Sequence, residues 1–104
     1  MVVNKQSTTV VNHNINVPAG GSQVFFVTGN RLKVTNALPS CYISFDDSPE
    51  RISLINAILG YPVEFRFENG MYFRKVTLWS DLFPWIAGNA ITFHTDTDYG
   101  EWLA

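Results

Sequence analysis

Residues 22–34, "SQVFFVTGNRLKV", decide how this chain is read. Two alternating runs stand on either side of Gly29-Asn30. In the second run Leu32 and Val34 fall on one face, and Arg31, Lys33 and Thr35 on the other. Side chains on a strand alternate between faces, so this period of two predicts strands at 22–28 and 31–37 with an apolar face turned inward. Gly and Asn both tolerate positive φ, so Gly29-Asn30 predicts a tight hairpin between them.

The same period extends in both directions. Upstream, Val11, His13, Ile15 and Val17 share a face opposite Asn12, Asn14 and Asn16, and "PAGG" (18–21) follows as a turn. Residues 1–7 are polar and predict a loose segment. Downstream, "CYISF" (41–45), "PVEFRFE" (62–68), "MYFRKVTLWS" (71–80) and "AITFHTDT" (90–97) read as strands. Asn69-Gly70 predicts a second hairpin turn, and "DLFPWIAGN" (81–89) a long connection. The expectation is one all-β domain over residues 1–104, an antiparallel sandwich or jelly-roll-like barrel of seven to eight strands.

One passage breaks the pattern. After Asp46-Asp47, "SPERISLINAILGYP" (48–62) brings Ile52, Leu54, Ile55, Ala57, Ile58 and Leu59 close together. Ser48 as a cap, Pro49 at the first helical position, Glu50 in the first turn and Gly60 as terminator predict a short helix at 49–59. A strand and an extended loop are the competing readings. In each of them the run is apolar over most of its surface and needs cover on more than one side. A helix plugging the open end of its own barrel would supply that cover; otherwise a neighbouring chain would.

Composition narrows the function. Of the 104 residues 46% are hydrophobic and 14% aromatic, while only 15% are charged against a usual figure of about 25%. A surface poor in charge and rich in aromatics suits burial against a partner. Seven Lys and Arg and a net charge of -2 leave no basic stripe for nucleic acid. No apolar run reaches the roughly 20 residues of a membrane helix, and the opening residues do not read as a signal peptide. Cys41 is the only cysteine, which fits synthesis in a reducing compartment.

No residues assemble into a strong catalytic or metal motif, so the expectation is a protein that is not an enzyme and holds no cofactor. Adjacent Asp46 and Asp47 would point to opposite faces of a strand. "DTDYGE" (96–101) lacks the third ligand and the distal Glu of a calcium loop. His13 and His94 lie far apart in sequence, and nothing aligns either with Cys41 or a serine.

"VPAGGSQVFFVTGNRLKV", "CYISFDDSP", "FRKVTLW" and "AITFHTDTDYGEW" together resemble a group of small phage and prophage virion proteins, over roughly residues 17–102. The chain departs from that pattern in residues 50–60, where a loop richer in Pro and Gly would be expected. The resemblance implies a capsid, decoration or tail-associated building block, made in the bacterial cytoplasm and located in the virion. Its partners would be copies of itself in a symmetric oligomer and other virion proteins. Ile52, Ile55, Ile58, Leu59, Phe83, Trp85 and Trp102 are the expected contact residues, because they are apolar side chains in the odd passage, a connection and the tail. Two alternatives stand beside this reading. One is a carbohydrate-binding module for host-surface glycan, with exposed tryptophan stacking on sugar rings. The other is a small enzyme joining His13 or His94 to an acid.

Overall fold

The computed structural model describes the backbone of residues 2–102 and the side chains of residues 8–96. Strands β1 (Val2–Val17), β2 (Gly21–Phe25), β3 (Arg31–Val34), β4 (Cys41–Phe45), β5 (Ile52–Ser53), β6 (Val63–Arg66), β7 (Val76–Ser80) and β8 (Trp85–Trp102) are interrupted by one helical turn, α1 (Ile55–Ile58), between β5 and β6. They form two four-stranded sheets in the orders β1-β8-β3-β6 and β2-β7-β4-β5, with antiparallel pairing throughout. This is the strand order of a jelly roll, in which successive strands cross between facing sheets except for the one hairpin, β4–β5.

The period-two residues meet between the sheets. Ile15, Val17, Leu32, Val34, Ile91 and Phe93 from the first sheet face Phe25, Cys41, Ile43, Val76 and Leu78 from the second, and all are buried. Leu54, Ala57, Phe73 and Trp85 complete the core. A series of tilted and edge-to-face rings, His13, Phe25, Phe93, Phe73, Phe67 and Phe45, crosses it with centroids 5.1–6.1 Å apart.

Four expectations change. Gly29-Asn30 is not a hairpin turn: β2 and β3 lie in different sheets, and the chain crosses between them. Gly29 instead bridges to Phe73, so close to its neighbours that an added Cβ would lie 2.8 Å from the His94 carbonyl oxygen and 2.8 Å from the Phe73 ring. Asn69 (φ 57°) and Gly70 (φ 74°) do make a tight turn, closed by Met71 N–H on Glu68 O, but it too lies in a crossing from sheet to sheet, between β6 and β7.

The helix is shorter than its caps imply. Only Ile55–Ile58 is helical, Leu54 stands at the N-cap without a capping side chain, and Ile52–Ser53 pairs as a strand with β4. Ser48 Oγ accepts from Glu50 N–H in a local turn. The predicted terminator does act: Gly60 (φ 92°) donates to Ala57 O and Tyr61 to Asn56 O, a Schellman ending.

Finally, residues 2–7 are not loose. They continue β1 and pair with β8 from Val2↔Trp102 onward. Backbone pairing needs no apolar side chains, so the polar composition hid the strand.

Candidate interaction surface

A jelly roll gathers its loops at two ends. At one end lie the connections 18–20, 35–40, 54–62 and 81–84. Backbone bonds tie this end together: Leu54 N–H to Cys41 O, Gly20 N–H to Ser80 O and Asp81 N–H to Ser40 O. Arg51 Nη2 reaches Asp81 Oδ1 at 2.8 Å, and its guanidinium lies 4.3 Å over the Tyr42 ring and 5.0 Å over Trp79. The Ser80 hydroxyl donates to Phe83 O and shapes the 81–84 turn.

This end is built from apolar side chains that face outward. Ile55 and Leu59, at either end of α1, are 60% and 67% exposed, and Tyr61 beside them 68%. Leu82 and Phe83 on the β7–β8 turn are exposed, as is Ile86, two residues after Pro84. The helical turn explains half of this. Leu54 and Ala57 point into the core and Ile58 rests against it, which leaves Ile55 and Leu59 on the other side. Leaving an Ile or Leu in water forgoes about 1–2 kcal/mol of burial free energy each.

The expected contact residues divide accordingly. Ile52, Ile55, Leu59 and Phe83 are exposed, and Ile58 is half-buried. Trp85 is a correction: it is fully buried, and its indole N–H donates to Asn36 O at 2.8 Å. Pro84 made 81–89 look like one connection, whereas β8 begins directly after it and turns Trp85 inward opposite Val17. The side chain of Trp102 lies outside the described residues. Tyr61, Leu82 and Ile86 are contact candidates that the sequence reading passed over: Tyr61 falls in the turn after Gly60, and Leu82 and Ile86 flank Phe83 and Trp85, the larger aromatic residues of the same stretch.

The polar candidates have structural partners. Asp46 (φ 52°) accepts from the backbone N–H of Arg74 at 2.7 Å and Lys75 at 3.1 Å, and Asp47 pairs with Lys75 on the surface. Asp96 forms a two-pronged bond with Arg31 at 2.8 and 3.2 Å and accepts from Thr8 Oγ1 at 2.8 Å. The Arg31 guanidinium, then the Thr8 hydroxyl, hold its carboxyl well below the ordinary range, at about 2. His94 sits beside this pair with Nδ1 buried and unpartnered, and burial followed by the Arg31 charge lowers its pKa. Cys41 is buried, which raises its thiol pKa. It lies at the loop end beside Ser80, whereas His94 lies at the far end of the other sheet beside Arg31, so the two do not meet. Among the described residues no cluster of His, Cys, Asp or Glu could hold a metal ion, and no helix is long and apolar enough to cross a membrane.

Two shallow grooves open on the second sheet and its adjoining turns. One, of about 320 Å³, runs past Trp79 between Ser22, Ser44 and Thr77; the other, of about 350 Å³, lies between Asp46, Asp47, Tyr72, Arg74 and Lys75. Comparison with known protein families, curated proteins and solved structures finds no match to this chain.

Proposed function

We propose that this chain is a structural component of a bacteriophage virion, working by assembly with copies of itself and by docking to neighbouring virion proteins. The observation that carries the reading is the apolar loop end, where Ile55, Leu59, Tyr61, Leu82, Phe83 and Ile86 face solvent together. A chain with so little charge has no functional need to hold that surface in water, and contact with a neighbour removes it. The jelly-roll strand order supports the reading by analogy, since viral capsid domains use this architecture. Synthesis in bacterial cytoplasm fits the single, buried cysteine.

The double substitution Ile55→Asp with Leu59→Asp tests it. Both side chains are exposed, so the fold tolerates the change, and association should weaken at least tenfold in sedimentation equilibrium. Unchanged association would remove the loop end from the account.

The second reading, glycan binding, draws on the groove beside Trp79 with its serine and threonine hydroxyls. The Trp79 indole already donates to Ser44 Oγ at 3.1 Å, and Arg51 covers part of the ring. A sugar would have to displace Arg51. Quenching of tryptophan fluorescence by sugars in a protein that stays monomeric would favour this reading over assembly.

A further inference from the structure

The jelly roll has four edge strands, and they are not alike. β2, β5 and β6 span Gly21–Phe25, Ile52–Ser53 and Val63–Arg66, all short, and β6 carries Glu64 and Arg66. Short, charged edges are how proteins prevent unwanted strand pairing. β1 is different. It runs 16 residues with no Pro or Gly and with Lys5 as its single formally charged residue.

Its free edge is also regular. A bulge sets Gly88, Asn89 and Ala90 of β8 against Asn14, and Gln23 Oε1 accepts from Asn16 N–H at 2.8 Å, which closes the edge at the loop end. Residues 2–13 remain evenly paired on one side and open on the other. Beyond His94, β8 has lost β3 as a neighbour, because β3 stops at Arg31. Asn30 still holds the Asp96 backbone, so residues 2–7 and 97–102 form a two-stranded ribbon about 20 Å long at ~3.4 Å per residue. It accounts for the elongated outline, 58 × 26 × 19 Å. Two strands alone are marginal in water, and a third makes such a ribbon stable. At its base Val10 and Val11 are exposed on opposite faces.

We propose that β1 pairs antiparallel with β1 of a second copy of this chain, joining two four-stranded sheets into one eight-stranded sheet across a two-fold axis near Thr8. The proposal deepens the assembly reading and rests on it for the choice of a second copy as occupant. Charge supports that choice. A nearly neutral edge meets an identical neutral edge without repulsion, and an axis near Thr8 sets Lys5 opposite Val11 of the other copy, away from its own counterpart. A two-fold normal to the sheet keeps each inward face inward, so facing residues have numbers that sum to an even value. Full overlap of residues 2–13 then places the axis at Ser7 or Thr8. In that register each ribbon lies along the body of the other copy, and the ribbon's unpaired edge finds its third strand.

The test is a cysteine scan of Ser7→Cys, Thr8→Cys, Thr9→Cys and Val11→Cys in the full chain under mild oxidation. Cys41 stays in place, since it is buried. Facing Cα atoms across an antiparallel pair are about 4.5–5.5 Å apart, within disulfide range, while a same-residue pair one position off the axis exceeds it. A disulfide dimer is expected at Ser7→Cys or Thr8→Cys, with at least a tenfold lower yield at Val11→Cys. Dimer at none of the positions, or equal yield at all of them, overturns the pairing. So does a cross-link between Thr8→Cys and Leu59→Cys, which would seat the ribbon on the loop end of the next copy. Adding Ile55→Asp separates the two claims. Association that is lost with Ile55→Asp while the scan gives no dimer leaves the assembly reading standing without this pairing. A scan dimer that survives Ile55→Asp upholds the pairing and removes the loop end from self-association.

Discussion

The side chain of Asn30 pairs with the backbone of Asp96 as though it were one more residue of β3. Its Nδ2 donates to Asp96 O and its Oδ1 accepts from Asp96 N–H, both at 2.8 Å. The sheet ladder thus continues one step past Arg31 before the ribbon begins. Asn30→Ala should leave both backbone groups of Asp96 without that partner and cost about 1–3 kcal/mol, measured by urea denaturation.

The Arg31–Asp96 pair beside it sets an acid limit. The carboxyl of Asp96 titrates at about 2 in the folded chain, below its ordinary value of 3.8. A lowered carboxylate pKa contributes stability that is present above the unfolded value and disappears as pH falls through the folded one. Its size is at most about 2 to 3 kcal/mol, since a tenfold shift in proton affinity is worth ~1.4 kcal/mol. Asp96→Asn should flatten the fall in Tm between pH 4 and pH 2, each pH being about the bound given by these two values.

His94 acts in a higher window. Burial, with Arg31 next in weight, lowers its pKa, so the folded chain prefers the neutral ring and the unfolded chain binds the proton more readily. Stability from this group is complete above the ordinary histidine range near 6.5 and declines as pH falls below it. Denaturation midpoints should therefore drop on acidification from neutral pH, and His94→Gln should remove that slope while leaving the carboxylate window intact.

Gly29→Ala tests the crossing between β2 and β3. The new methyl would meet the His94 carbonyl, a backbone atom with little room to move, as well as the Phe73 ring. A loss of about 1–3 kcal/mol is expected from thermal denaturation.

Trp85 and Phe83 sit two residues apart and should behave oppositely. Trp85→Ala empties a fully buried site and strands the Asn36 carbonyl, at about 3–5 kcal/mol. Phe83→Ser, on the exposed turn, should change stability by no more than about 0.5 kcal/mol and act on association instead.

These contrasts mark how far the sequence was legible. Inward faces could be read residue by residue: Leu32, Val34, Ile43, Ile15 and Val17 are all buried as their alternation predicts. Gly60 ends its helical turn as its position before Pro62 suggests. What could not be read is partner choice. Gly29-Asn30 and Asn69-Gly70 carry turn chemistry, but a turn fixes only local backbone direction. Whether the next strand pairs with the previous one or crosses to the other sheet depends on contacts such as Gly29 to Phe73, far apart in sequence. The ribbon escaped notice for a related reason, since hydrogen bonds between backbones leave no trace in hydropathy. The exposed end was half legible. A crowded apolar run announces a surplus, and only the fold decides that Leu54 and Ala57 go inward while Ile55 and Leu59 stay out.

The most direct check on the account is the molar mass of the purified chain followed by light scattering from dilute to concentrated solution. The account predicts a mass that rises with concentration to a defined multiple of the single-chain value, and a lower mass at equal concentration for the Ile55→Asp, Leu59→Asp variant. A single-chain mass at every concentration, identical in the variant, would contradict it.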